Sequence, residues 1–253
     1  MMANKPLRLL AGLVLAVLSS LPVLAAQSTE GSWTIRPAEA QDKLQVTFVY
    51  GRNTHSDDWR AANLTGLQLA TGEQRRDVHF TLARDAGRVE AEGVSSSGTA
   101  AGSFRFQPDP GYETEMRKLG LGEVRPEDQL ALALHDVSLG FAREMIALGI
   151  DNASVDRLLT FRIHGVDLAY VKGLRAVGVQ AHADELIAFR IHGVTAEYVT
   201  AIRKLGYDAP SPGQLIAMRI HGVTPEYIAS VKAKGVRDTS LDQLVAMKVQ
   251  GIY

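Results

Sequence analysis

Apolar residues recur along this chain in two rhythms, and the change from one to the other falls near residue 108. Before it the period is two. Leu44, Val46, Phe48 and Tyr50 alternate with Gln45, Thr47 and Val49, Val78, Phe80 and Leu82 alternate with His79 and Thr81, and Val89 and Ala91 alternate with Glu90 and Glu92. That spacing places one set of side chains on one face of a strand. Asp85-Ala86-Gly87 and Ser95 to Gly98 supply turn chemistry, while Ser32 to Ile35 and Gly102 to Phe106 add strands at either end. The pattern predicts an antiparallel module over residues 27–108, with five strands and one buried face. Residues 52–76 read as a long polar connection, in which Trp59 to Leu64 makes a short helical turn that pins Trp59 and Leu64 to the sheet.

The second rhythm is helical, and it repeats. Arg162-Ile163-His164-Gly165-Val166, Arg190-Ile191-His192-Gly193-Val194 and Arg219-Ile220-His221-Gly222-Val223 are three copies of one phrase. Ala133 to Val137 and Lys248 to Ile252 are divergent copies before and after them. Aligned on Val137, Val166, Val194, Val223 and Ile252, the copies are spaced by 29, 28, 29 and 29 residues, which is the signature of a repeat architecture. The units run 109–137, 138–166, 167–194, 195–223 and 224–253. Asp109, Ser138, Asp167, Thr195 and Thr224 stand where a helix needs an N-cap. Gly120, Gly149, Gly178, Gly206 and Gly235 stand where it needs a left-handed stop.

A second helix in each unit begins with the capping box of Ser211 and Gln214, or of Ser240 and Gln243. It ends at Gly165, Gly193, Gly222 or Gly251. Its body, Leu215 to Ile220, is apolar on nearly every side, which predicts a helix sandwiched between neighbours. Helices of about ten residues are marginal alone, so stability must come from stacking. Two core columns follow: Tyr112, Phe141, Tyr170, Tyr198 and Tyr227, and Leu132, Phe161, Phe189, Met218 and Met247. The fold class expected is α+β, a small antiparallel β module followed by an α solenoid of five helix pairs. Lys234 and Gln250 depart from the pattern in the last unit, as suits a terminal cap.

Residues 1–26 read as a leader rather than as fold. Lys5 and Arg8 precede the apolar run Leu9 to Leu18, and Pro22 to Ala26 offers a small-residue cleavage site after Ala25 or Ala26. A periplasmic or secreted protein is expected, with no transmembrane segment once the leader is removed. The chain has no cysteine, which excludes a disulfide framework and thiolate metal sites. With 27 Lys and Arg against 28 Asp and Glu, it also lacks the basic excess of a phosphate-backbone binder, so no nucleic-acid partner is expected.

The candidate chemistry is sparse. His135, His164, His192 and His221 recur in register, but stacked helices lie about 8–10 Å apart, too far for neighbouring imidazoles to share one ion. Their reading is structural, in the last helical turn where the carbonyl end of the dipole favours them. Arg162, Arg190, Arg219 and Lys248 form a second column, either an interaction row or a set of caps on adjacent helix ends. His55, Asp57 and Asp58 are the nearest approach to a metal cluster and read as a solvated loop. No H-E-x-x-H, P-loop or G-x-G-x-x-G occurs. No catalytic residue, cofactor or metal ligand is assigned.

The phrase Leu215 to Tyr227 resembles a short helical repeat found in exported bacterial proteins of unknown function. It is similar also to repeats appended to membrane metallopeptidases of the antibiotic-sensor type. Asp77 to Gly87 resembles the strand module that precedes the repeats in the former group. The metallopeptidase's zinc motif is missing here, so the resemblance implies no protease. The function expected is a non-enzymatic interaction scaffold of the cell envelope that binds a protein partner through its repeats. The alternative is an envelope sensor or ligand-binding accessory that recognises a glycan or small molecule through the β module or the 52–76 segment.

Overall fold

A computed structural model describes residues 29–40, 42–236 and 238–252. The expected leader at 1–26 lies outside the described residues. Six strands, β1 (Thr29–Pro37), β2 (Lys43–Tyr50), β3 (Asn53–Arg60), β4 (Arg76–Arg84), β5 (Gly87–Ser96) and β6 (Thr99–Pro108), form one antiparallel sheet in the order β3-β2-β1-β6-β5-β4. Ten helices follow among the described residues. They are α1 (Pro110–Lys118), α2 (Pro126–Leu134), α3 (Leu139–Ala147), α4 (Val155–Ile163), α5 (Leu168–Ala176), α6 (Ala183–His192), α7 (Ala196–Lys204), α8 (Pro212–Ile220), α9 (Pro225–Ala233) and α10 (Leu241–Val249).

The sheet buries one face, and its inner residues belong to rings that need room. Trp33 lies opposite Gly102, which lies opposite Gly93, so two adjacent strands offer bare backbone beside the indole. The indole crosses that floor from β1 to meet Phe80 of β4 edge-on, with centroids 4.9 Å apart, and its N–H donates to the Ser103 carbonyl at 2.9 Å. Gly31 does the same for Phe104, whose ring reaches Phe48 at 5.2 Å. The glycines let a six-stranded sheet curl around its own aromatic core.

The expected polar loop at 52–76 is corrected in its first part. Residues 53–60 are the edge strand β3, paired along its length with β2. His55 and Trp59 point inward, and Asp57 shares their parity but stays exposed. An inward-facing charge on an edge strand opposes further strand addition. The helical turn is shorter than expected, a 3-10 turn at Ala61–Asn63, flanked by Trp59 and Leu64, both buried. The chain then crosses to the other edge, where Thr65 pairs with Thr81 of β4 through two backbone hydrogen bonds of 2.9 Å.

In the helical region the local signals act as read. Asp109, Ser138, Asp167, Thr195 and Thr224 accept from backbone N–H groups of the first turn, and Ser211 and Ser240 close capping boxes with Gln214 and Gln243. First helices stack on first helices, α1-α3-α5-α7-α9, and second helices on second helices, α4-α6-α8-α10, which makes two layers. Phe161, Phe189 and Met218 are wholly buried between the layers. The sandwiched second helix is corrected too: Leu215 and Met218 are buried, but Ile220 is 53% exposed, so the helix is covered on one side and open on the other.

Candidate interaction surface

Side chains that satisfy backbone carbonyls close each unit on itself and tie it to the unit before it. The phenol O–H groups of Tyr112, Tyr170, Tyr198 and Tyr227 donate to the carbonyls of Val137, Val194, Val223 and Ile252 at 2.6, 2.5, 2.7 and 2.9 Å. Burial pushes the phenols of Tyr170 and Tyr198 up to about 12, so they stay protonated donors. Arg203 and Lys232 reach back to the carbonyls of Val177 and Leu205.

Phe141 occupies the one place in the tyrosine column that lacks a hydroxyl. Phe141→Tyr should therefore stabilise the fold by about 0.5–1 kcal/mol, and Tyr198→Phe should destabilise it by about 1 kcal/mol. Urea unfolding measures both. Equal midpoints for the two variants would contradict a cumulative ladder.

The Arg column caps the preceding unit and stacks on rings. Arg162 Nε donates to the His135 carbonyl at 2.8 Å, and Arg219 Nε to the His192 carbonyl at 3.0 Å. The cations of Arg162, Arg190, Arg219 and Lys248 lie 5.3, 4.8, 5.0 and 4.4 Å from the ring centres of Phe141, Tyr170, Tyr198 and Tyr227. His164 and His221 are exposed and His192 half-buried. Gly165, Gly193, Gly222 and Gly251 take the left-handed conformation that ends each second helix.

The first unit departs from this scheme where the sheet touches it. Gln129 replaces the core leucines Leu158, Leu186, Leu215 and Leu244, and its buried amide donates to the carbonyls of Ala86 at 2.9 Å and Asp109 at 2.7 Å. Ala133 replaces the arginine and is buried. Asp136 replaces the glycine while keeping a positive φ of 53°, and its carboxylate meets Arg84 of the sheet at 3.1 Å and Arg162 of the second unit at 3.3 Å. From the β4–β5 turn, Asp85 accepts the Leu139 N–H at 2.8 Å.

His135 stands edge-on to His55 of β3, with ring centres 4.5 Å apart. Burial is the main cause pushing both imidazoles down, His135 to about 4, with His55 lowering it further and Asp57 opposing. His55 is 8% exposed, and its Nε2 has no hydrogen-bond partner among the described residues. Asp58 has the opposite strand parity, so the three-residue cluster of the sequence does not converge. Among the described residues no group of three His, Cys, Asp or Glu side chains could hold a metal ion.

The surface that sequence reasoning missed is the open face of the second-helix layer. Ile163, Ile191, Ile220 and Val249 are 53%, 57%, 53% and 61% exposed, one per unit in register. One turn earlier on the same face lie Leu159, Ile187, Ile216 and Val245, half-buried, with Thr160, Ala188, Ala217 and Ala246 between the columns. No charged side chain interrupts the columns. Leu130 and Leu134 hold the matching places in the first unit, but there the sheet packs on α2 and leaves them 1% and 4% exposed. The signal in the sequence is the β-branched residue, Ile163, Ile191, Ile220 or Val249, that follows the basic column in each of the last four units.

A trough of about 620 Å³ on the outer face of the sheet is lined by Glu30, His79, Glu90, Glu92, Ser103 and Arg105. Arg105 is already paired with Glu30 at 2.8 Å, and carboxylates dominate the outward side chains of the trough. The apolar ridge is therefore the more specific feature. No helix among the described residues is long and apolar enough to cross a membrane. Compared with protein-family models, curated proteins and solved structures, the chain matches none of them.

Proposed function

We propose that this chain is an exported, non-enzymatic scaffold of a bacterial cell envelope, whose helical repeats hold a protein partner. The observation that carries the reading is the ridge of Ile163, Ile191, Ile220 and Val249, exposed in four successive units and covered by the chain's own sheet in the first. Contiguous exposed apolar faces rimmed by polar residues mark docking sites. The leader pattern at 1–26 supports export.

The test is a photo-crosslinking amino acid placed at Ile191 or Ile220 in the intact producing cell, with Glu197, exposed on the other layer, as the control. Protein adducts are expected from the ridge and not from the control. Should neither ridge position give a protein adduct, the scaffold reading is lost. Ile191→Ser is the companion variant: it should leave stability within about 0.5 kcal/mol, because the side chain is solvated, while removing the docking contact. Thermal melting checks the first outcome and co-purification the second.

A further inference from the structure

On the reading that the ridge is a protein-docking surface, we infer that its occupant is an amphipathic helix of a partner protein, with carboxylates along one margin of its apolar face. The interior of this molecule supplies the precedent. In the first unit the face at Leu130 and Leu134 is covered, and at its margin Arg162 finds the carboxylate of Asp136 at 3.3 Å. In the later units the corresponding places before Arg190, Arg219 and Lys248 are Gly165, Gly193 and Gly222, which carry no side chain. Among the described residues no carboxylate comes within ion-pair distance of these three cations. Each is held over an aromatic ring beside the ridge. The face thus runs on from an interface that is already made, and it lacks there both the apolar cover and the anion that the first unit has.

Geometry favours a helix. Neighbouring stacked helices lie about 8–10 Å apart, so the ridge from the second to the fifth unit spans about 24–30 Å. A helix of about 16–20 residues covers that length, and seven residues rise about 10.5 Å, close to one step of the ridge. Same-face residues of a strand recur about every 6.8 Å and fall out of step.

Two other occupants fit less well. The starts of the second helices place Asp156, Asp184 and Asp242, all exposed, along the opposite margin; Asp184 is paired with Arg157, and the remaining carboxylates would repel a uniformly anionic lipid surface. A second copy packed face to face would set that acidic margin against itself if antiparallel. If parallel, it would drive two sheets into one space.

The test measures fluorescence anisotropy of two labelled synthetic helices of about 20 residues titrated with the full chain at low salt. Both carry the same Leu and Ala stripe; one has Glu along a margin and the other Lys. The Glu helix should bind at least about 10-fold more tightly. That preference should fall in Arg190→Gln/Lys248→Gln, and in Lys248→Gln alone should the double variant melt early. Equal binding of the two helices overturns the inference, as does capture of the chain by phosphatidylglycerol vesicles in place of either helix. If neither helix binds while cells still yield protein adducts from Ile191, the acidic-helix occupant is excluded and the scaffold reading stands. If the adducts are missing as well, both fall.

Discussion

A single methyl group at Gly102 should be enough to break the sheet. An ideal Cβ there would lie 1.9 Å from the Glu92 carbonyl oxygen and 2.6 Å from the Gly93 Cα, both backbone atoms that no rotamer change can move aside. Gly93 is no freer, since its Cβ would meet the Ala101 carbonyl oxygen at 2.2 Å. Relief requires β5 and β6 to part. Parting them lifts the strands beside Trp33, which is 1% exposed. We expect Gly102→Ala to cost about 3–5 kcal/mol, in the range where one substitution unfolds a marginal protein. Gly213→Ala is the matched control, because it lies in the first turn of α8 with nothing within 4 Å of the added atom. There alanine should be neutral or stabilising by up to about 1 kcal/mol. Urea titrations of the two variants decide the matter, and a Gly102→Ala midpoint within about 1 kcal/mol of the parent would refute the crowding argument.

Mild acid should loosen the joint between sheet and solenoid. The folded protein holds both His55 and His135 neutral, His135 down to about 4, whereas an unfolded imidazole titrates near about 6.5. Between those values the unfolded chain binds protons that the folded chain refuses, so stability is full above about 6.5 and falls as the pH drops toward 4. Arg162 reinforces the effect on His135, and the Asp57 carboxylate opposes it. Allowing for the partial exposure of His135, the loss should be about 2–3 kcal/mol.

Glu115, Asp151, Glu197 and Glu226 are held below the usual carboxylate range, so whatever they contribute disappears only at lower pH. His135→Gln borrows the residue that the chain itself carries at Gln250, and it should flatten most of the dependence between pH 6.5 and 4. Unfolding midpoints measured at pH 7, 6, 5 and 4.5 test this; identical midpoints at pH 7 and 5 would rule out a neutral, buried pair.

The helical half was legible because its signals are local. A Ser or Thr cap, a Gln three residues on and a glycine stop each act within one turn, and the structure uses them where they stand. Three features were not legible, for physical reasons. Strand β3 carries only His55 and Trp59 inward, with Asp57 between them, so an edge strand imitates a loop in composition. The open ridge was hidden because an apolar helix does not declare which side its neighbours cover; that depends on tertiary stacking. The His55–His135 pair joins residues 80 positions apart in sequence, beyond any local pattern. Asp136 was the available clue to that joint, an aspartate at a left-handed position that the other units give to glycine.

The recurring carbonyl caps make the solenoid a ruler cut in whole units. Arg219 finds the His192 carbonyl one unit back, while Tyr198 closes its own unit on the Val223 carbonyl, so the internal joints have much the same form. Excising residues 167–194 would bring Arg219 against the His164 carbonyl in the same register and should leave a shorter, folded protein. The first unit admits no such exchange, since Gln129 and Asp136 tie it to the sheet. Gene duplication or loss can therefore lengthen or shorten the reach of this molecule by about 8–10 Å at a time, always at the end away from the sheet.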